Sequence, residues 1–396
     1  MASEEIRADG NGGASPVDEA RALAPRIAAL SDRIERERRV PPDLVRALAE
    51  AGLFRICVPR KFDGLEVDVS TMIGTIEEVS KADGSAGWCV MIGATSGVLS
   101  AWLPDEVARR IYGGDPLLVT GGVFAPRGKA IPAPGGYRVS GRWPFASGSQ
   151  HCGWLMGGCM VLDDGKPRLL PRGVPDSRMM LFPASEARII DTWTVSGLCG
   201  TGSHDMEVSD LFVPAERSVS LITDRPVQPG PLYAFPVFGL LALGIAAVAI
   251  GIARSAIDAL VGLATEKTPT GSQKRLAERP ATQLQVARAE ALTRSARAFL
   301  YEAVGETWRE AAARGTIGPE KRALCRLAAT NAAAACARAV DLMYEAGGGT
   351  SIYATSPLQR HFRDVHVLTQ HMMVAPPVYE LAGRLFLGLD TDISML

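Results

Sequence analysis

The chain has 396 residues, 47% hydrophobic and 21% charged, with a net charge of −1. That length exceeds one ordinary hydrophobic core, so two or three domains or a large composite fold are expected, and the composition excludes a disordered chain. The neutral balance, without any Lys/Arg run, excludes nucleic acid and an anionic membrane surface as partners.

The opening residues, MASEEIRADGNGGASP, are polar and Gly-rich without an apolar run, unlike a signal peptide, and 1–16 reads as a disordered tail. Residues 17–116 read as a helical domain. Its first helix has Ser15 or Asp18 as N-cap, and PPDLVRALAEAGLFRI starts on Pro and stops its period at Gly52. GSAGWCVMIGATSGVLSAWLP is apolar and rich in small residues, hence a buried helix. Near residue 117 the texture changes to short β-type runs, LLVTGGVFAP to HDMEVSDLFVP, punctuated by Gly, Pro and Asp. They predict a small barrel or sandwich over 117–230. Residues 231–396 return to helices, with stops at Gly315 and Gly347 and a four-helix-type bundle as the expected result. Within it, Phe235–Ala253 has 19 residues without a charge. It runs straight into Arg254 and Asp258 on one helical pattern, so a buried helix is expected rather than a membrane span. The fold class is therefore α+β and multidomain: helical domain, central β-barrel or sandwich, helical bundle.

The seven Cys are scattered and form no CxxC pair, which predicts free thiols in a reducing cytoplasm and no zinc site. No GxGxxG opens a helix after a strand, and no GxxxxGK[ST], HExxH or GxSxG exists, so no Rossmann or P-loop nucleotide site is expected. His361, His366 and His371 are five apart, a rotation of about 140° on a helix, so they share no face and hold no metal. His371 precedes VAPP, where a helix must end. A His at such an end can be kept neutral and act as a base.

The stretch RWPFASGSQHCGW (142–154) gathers aromatics around small hydroxyls. Ser147 before Gly148 would let a flat, nitrogen-rich ring approach the backbone, with one hydrogen bond from the hydroxyl and with Trp143, Phe145 and Trp154 flanking. The same residues also describe a strand ending in a Ser-Gly-Ser turn with its aromatics in the core. Gly200, Thr201 and Ser203 of GTGS offer amides and hydroxyls to a phosphate or ribityl chain, or else form a tight turn.

Taken together, VPRKFDGLEVD, EEVSKADGSAGW, SGRWPFASGSQHCGW, GTGSHDMEVSDLFVP, EAGGGTSIYATSPLQRHFRDVHVLTQH and GRLFLGL resemble the acyl-CoA dehydrogenase fold superfamily over nearly the whole chain after residue 17. In the dehydrogenases that this resembles, the base is a Glu about nine residues past the Arg of R-D. Here that place is Met372, and the neighbouring His371 matches the branch of two-component flavin-dependent monooxygenases of aromatic-hydroxylase type. The resemblance implies reduced FAD or FMN as cofactor, Ser147 beside flavin N5 and His371 as the catalytic base or oxygen-steadying group. It further implies a C4a-hydroperoxyflavin protected in a dry pocket, hydroxylation of a small aromatic substrate, and a separate NAD(P)H-flavin reductase as partner. It implies a homotetramer in which Gly347 and Gly348 approach the flavin of another chain. Trp88, Thr95 and Ser96 are the substrate-side candidates. Two features depart from relatives: GATSG lacks the polar residue often found there, and Cys199 stands where G-L-R-G has Arg. The alternatives are an N-oxygenase of an amino-sugar nucleotide, an acyl-CoA dehydrogenase, and a non-catalytic flavin-binding relative.

Overall fold

The computed structural model describes residues 14–393 and 396. The tail expected over 1–16 lies outside the described residues as far as position 13. Ser15 then accepts from the Asp18 amide, and Pro16 takes the first turn, where its missing N–H costs nothing; α1 (Pro16–Ala29) starts there. α2 (Ser31–Glu37) and α3 (Pro42–Glu50) follow, and the chain leaves α3 through Gly52, whose φ of +72° suits glycine. α4 (Val69–Ala82) passes into α5 (Gly84–Gly97) through Asp83, whose carboxylate accepts from the Ala86 amide at 2.9 Å. Every residue of α5 is buried except Ile92. α6 (Asp105–Tyr112) completes this helical stretch.

Beyond residue 117 the chain forms strands β1 (Thr120–Ala133), β2 (Gly136–Trp143), β3 (Trp154–Asp163), β4 (Lys166–Pro167), β5 (Ser177–Pro183), β6 (Arg188–Ile190), β7 (Asp205–Pro214) and β8 (Ser218–Val219). They make one sheet in the order β6-β7-β2-β1-β3-β5-β8, with β4 on β3. Only the β1–β3 pairing is parallel, and its register shifts between Val123 and Gly128. The sheet curls until β5 touches β7, closing over a core of Val139, Trp143, Leu155, Phe182, Met206 and their neighbours. The expected β-type runs, from LLVTGGVFAP in β1 to HDMEVSDLFVP in β7, are strands. The two-residue strands β4 and β8 are too short to leave a period-2 signal.

The last stretch holds α7 (Val237–Glu266), α8 (Pro280–Arg314), α9 (Pro319–Gly347), α10 (Pro357–Leu368) and α11 (Pro377–Phe386). α8 ends on Gly315 in the left-handed region, as expected. α7 is long and apolar enough to cross a membrane, with a mean hydropathy of 2.2, but 89% of that window is buried inside the protein, against α4, α5, α9 and α10. The first and last helical stretches share one buried core, whereas the sheet has its own. Close approach of α7 depends on its glycines. A Cβ at Gly251 would lie 2.6 Å from the Glu77 carbonyl oxygen and the Ser80 Cβ. Gly251→Ala is therefore expected to destabilise the fold by about 1–3 kcal/mol, read as a lower urea midpoint at unchanged slope.

Candidate functional site

Three elements converge on Ser147. It follows β2, and its partners come from α5 and from the turn before β7. The Trp88 indole N–H donates to Ser147 Oγ at 3.0 Å. Ser147 Oγ lies 2.6 Å from Ser203 Oγ, which lies 2.7 Å from Thr201 Oγ1. Thr201 Oγ1 donates to the Leu198 carbonyl at 2.8 Å. All four side chains in this chain of bonds are buried. On its other side, the Trp88 ring meets the His371 ring edge-on, centroids 5.7 Å apart at 61°. One indole thus touches both residues on which the sequence reading turned.

His371 leaves α10 through a short turn, as the VAPP sequence required. Its Nδ1 accepts from the Met373 amide at 3.2 Å. Burial, and next the charge of Arg326, hold the imidazole down to about 4. A neutral ring whose Nδ1 accepts must carry its proton on Nε2, a tautomer assigned from the hydrogen bond. His371 therefore offers an N–H donor at neutral pH. Arg326, buried on α9, donates to the Met373 carbonyl at 3.0 Å and so braces the same turn.

The R-D pair of α10 holds the Gly-rich stretch. Arg363 donates to the Ser196 carbonyl and pairs with Glu35 at 2.6 Å, and Asp364 accepts from the Leu198 amide. Burial, opposed by that amide and reinforced by the charge of Asp83, pushes the Asp364 carboxyl up to about 7. What the turn requires of residue 364 is an acceptor, not a charge. Asp364→Asn is expected to fold with little loss, whereas Asp364→Leu strands the Leu198 N–H and costs about 1–3 kcal/mol in chemical unfolding.

One expectation needs correction, and other candidates have structural partners of their own. Trp143 is no wall of the site: it is fully buried inside the sheet, donating to the Gly158 carbonyl at 2.7 Å, with Gly128, Gly141 and Gly157 packed onto its ring. Thr95 is buried on α5 with its hydroxyl turned back to the Met91 carbonyl at 2.8 Å, and Ser96 is equally buried. Gly148 spends its amide on the Thr201 carbonyl at 2.8 Å, and a Cβ there would meet His151 Nε2. Gly200 is small because Ile34 of α2 presses on it, with a Cβ position 2.1 Å from Ile34 Cγ2. Gly347 and Gly348 lie at the end of α9, where the Gly347 carbonyl accepts from Lys267. His366 pairs with Asp341 and packs on Phe362. Cys199 donates to the Val195 carbonyl, and burial, reinforced by the charges of Glu35 and Asp364 and opposed by Arg363, holds its thiol pKa above the usual value. Among the described residues no cluster of His, Cys, Asp or Glu could hold a metal.

Phe145 does lie at the surface beside Ser147, 63% exposed, at φ +65°, with its ring edge-on to Trp193 at 6.1 Å. Three further residues shape the site. Ser149 Oγ is buried beside Ser147 with no hydrogen-bond partner among the described residues, an open polar position that fits a bound ligand. Ile92 lies one helical turn beyond Trp88, and the i, i+4 spacing could have disclosed their common face. His204 accepts from the Thr192 and Trp193 amides through Nδ1, and its carbonyl receives the Ala146 amide, so it locks two site loops together.

The fold and this site define an acyl-CoA dehydrogenase-type flavoprotein. Residues 17–110 match the family described as acyl-CoA dehydrogenase, N-terminal domain, and residues 243–376 its C-terminal domain. The chain is 36% identical to indole-3-acetate monooxygenase of Pseudomonas putida over 89% of each sequence. It is 30% identical to the oxygenase component of the FADH(2)-dependent resorcinol hydroxylase of a Rhizobium species, over 93% of this chain and 94% of the relative. The crystal structure of 3-HSA hydroxylase from Rhodococcus sp. RHA1 superposes with a TM-score of 0.89 at 27% identity, over 97% of this chain and 99% of that one. XiaF from Streptomyces sp., solved with FADH2 and glycerol, gives 0.85 at 27% identity over 95% of both. Within that fold, the chain belongs to the family of flavin-dependent monooxygenase oxygenase components.

Proposed function

We propose that this protein takes reduced FAD or FMN from a separate NAD(P)H-flavin reductase and hydroxylates a small aromatic substrate with O2. The carrying observation is the Trp88 indole, bonded to Ser147 on one side and packed against His371 on the other. Bound reduced flavin supplies the two electrons that let O2 place one oxygen atom on substrate and release the other as water. The protein's part is to hold, orient and keep dry. Ser147 and the unpartnered Ser149 hydroxyl face the polar edge of the flavin, and Thr201 and Ser203 support Ser147. Phe145 and Trp193 cover the mouth, and Trp88 with Ile92 supplies apolar surface for an aromatic ring. His371 gives a hydrogen bond from Nε2–H to an oxygen of substrate or oxidant. A dehydrogenase reading does not fit, because the position of the usual base is Met372, 63% exposed and unable to take a proton.

The homotetramer belongs to the same proposal. Ile352 and Tyr353 stand exposed just past the Gly347–Gly349 turn, beside a surface cavity of about 260 Å3, as a flavin shared between chains would require. A cytoplasmic setting, where reduced nicotinamide feeds the reductase, completes it. The test is reconstitution with indole-3-acetate and resorcinol as first substrates. Hydroxylated product should form only with reductase, NAD(P)H and flavin together. A protein that purifies with tightly bound yellow flavin and bleaches on adding an acyl-CoA would overturn the proposal.

A further inference from the structure

The bonds around Ser147 have a direction. The Trp88 indole nitrogen can only donate, and the Leu198 carbonyl can only accept. Between them stand three hydroxyls, each with one proton. Thr201 spends its proton on Leu198, so Ser203 must give its own to Thr201 at 2.7 Å, and Ser147 must give its own to Ser203 at 2.6 Å. The reverse order would set two lone pairs against each other at one of these short contacts. The Leu198 carbonyl, which also receives the Trp193 indole N–H at 3.2 Å and the Thr201 amide at 3.1 Å, anchors the acceptor end. Ser147 Oγ therefore has no proton to offer. One of its lone pairs takes the Trp88 N–H, and the other is free only for a donor.

We infer that Trp88, Ser203 and Thr201 are positioning residues that fix Ser147 as an obligate hydrogen-bond acceptor, so that the site selects the reduced flavin, whose N5 bears a hydrogen, over the oxidised flavin, whose N5 is a bare acceptor. The inference rests on the reading that Ser147 faces flavin N5. It gives Thr201 and Ser203 a different task from contacting the phosphate or ribityl chain. It also gives an oxygenase component that borrows its flavin a means of capturing the reduced form and releasing the spent one.

The test is the ratio of dissociation constants for oxidised and dithionite-reduced FMN, measured anaerobically on the full chain, with the midpoint potential of bound flavin as an independent readout. Ser203→Ala frees the Ser147 proton. The preference for reduced flavin should then shrink roughly tenfold, the worth of one hydrogen bond. For a two-electron couple that lowers the midpoint potential by about 30 mV. Ser203→Thr keeps the hydroxyl and should restore the ratio. Thr201→Val, which removes the next acceptor, should shift the ratio the same way and carries the test if Ser203→Ala fails to fold. An altered ratio in Ser147→Ala with unmoved ratios in Ser203→Ala and Thr201→Val overturns the relay alone. Unchanged affinities in Ser147→Ala overturn the placement of Ser147 at N5, and the relay with it.

Discussion

His371→Ala should lower product formed per flavin oxidised by about 10²–10⁴-fold, the usual worth of a positioned proton-handling group. Flavin affinity should change little, because His371 meets Trp88 through its ring and takes no place in the hydroxyl chain around Ser147. Oxidised flavin and hydrogen peroxide would then appear where product is lost. The Nδ1 contact with Met373 sharpens this expectation. If His371 acts as a donor through Nε2–H, His371→Gln, which also offers an N–H far along its side chain, should recover part of the yield; a general base would not be replaced. With the imidazole held down to about 4, it stays neutral from about pH 5.5 to 8, so product yield should be flat there and fall only as the pH approaches 4, where protonation of Nδ1 breaks the bond from the Met373 amide that orients the ring. A yield that climbs with a midpoint near 6.5 would mean that the ring is not desolvated as described. The same depression carries a stability effect. The unfolded chain takes up the proton at its ordinary pKa near 6.5 and the folded chain only near 4, so this residue's contribution is lost as pH falls between those values.

The second large effect concerns a residue that the sequence pointed to for another reason. Trp143→Ala should cost about 3–5 kcal/mol in urea unfolding, because it empties the centre of the curled sheet and strands the Gly158 carbonyl. Against a typical total stability of about 5–15 kcal/mol, that leaves a marginal protein. Trp143→Phe should fold and bind flavin with unchanged affinity. A Trp143→Phe protein that folds normally but loses flavin would return Trp143 to the wall of the site.

The contrast between Trp143 and Phe145 shows what the sequence could and could not disclose. Both are aromatics in one short stretch, two residues apart. A continuing strand would put them on one face, and it was natural to give them one task. But β2 ends at Trp143, and Phe145 sits at φ +65°, which breaks the alternation and turns its ring outward to Trp193. No periodicity announces a single left-handed residue. The glycines have local packing reasons that spacing does not disclose either. Gly148 and Gly200 stood in ligand-like stretches, yet His151 and Ile34 fill the spaces that their missing side chains leave.

Long-range contacts explain the remaining gaps. Trp88 is 59 positions from Ser147, and Leu198 is 166 from Asp364, so neither pairing leaves a local pattern. The helices were legible because their caps and stops are local: Ser15, Gly52 and Gly315 mark ends that the structure reproduces. The turn that ends α10 near His371 was legible for the same reason, since a proline pair follows within a few residues. Resemblance, not spacing, supplied the flavin.

A crystal structure of the protein soaked anaerobically with reduced FMN tests the central claim most directly. The flavin N5 should lie about 2.7–3.2 Å from Ser147 Oγ, with the Ser147–Ser203–Thr201 chain intact and the His371 imidazole facing the same edge of the ring system. Flavin bound elsewhere, with Trp88 still bonded to Ser147 and no ring between Ser147 and His371, would contradict it.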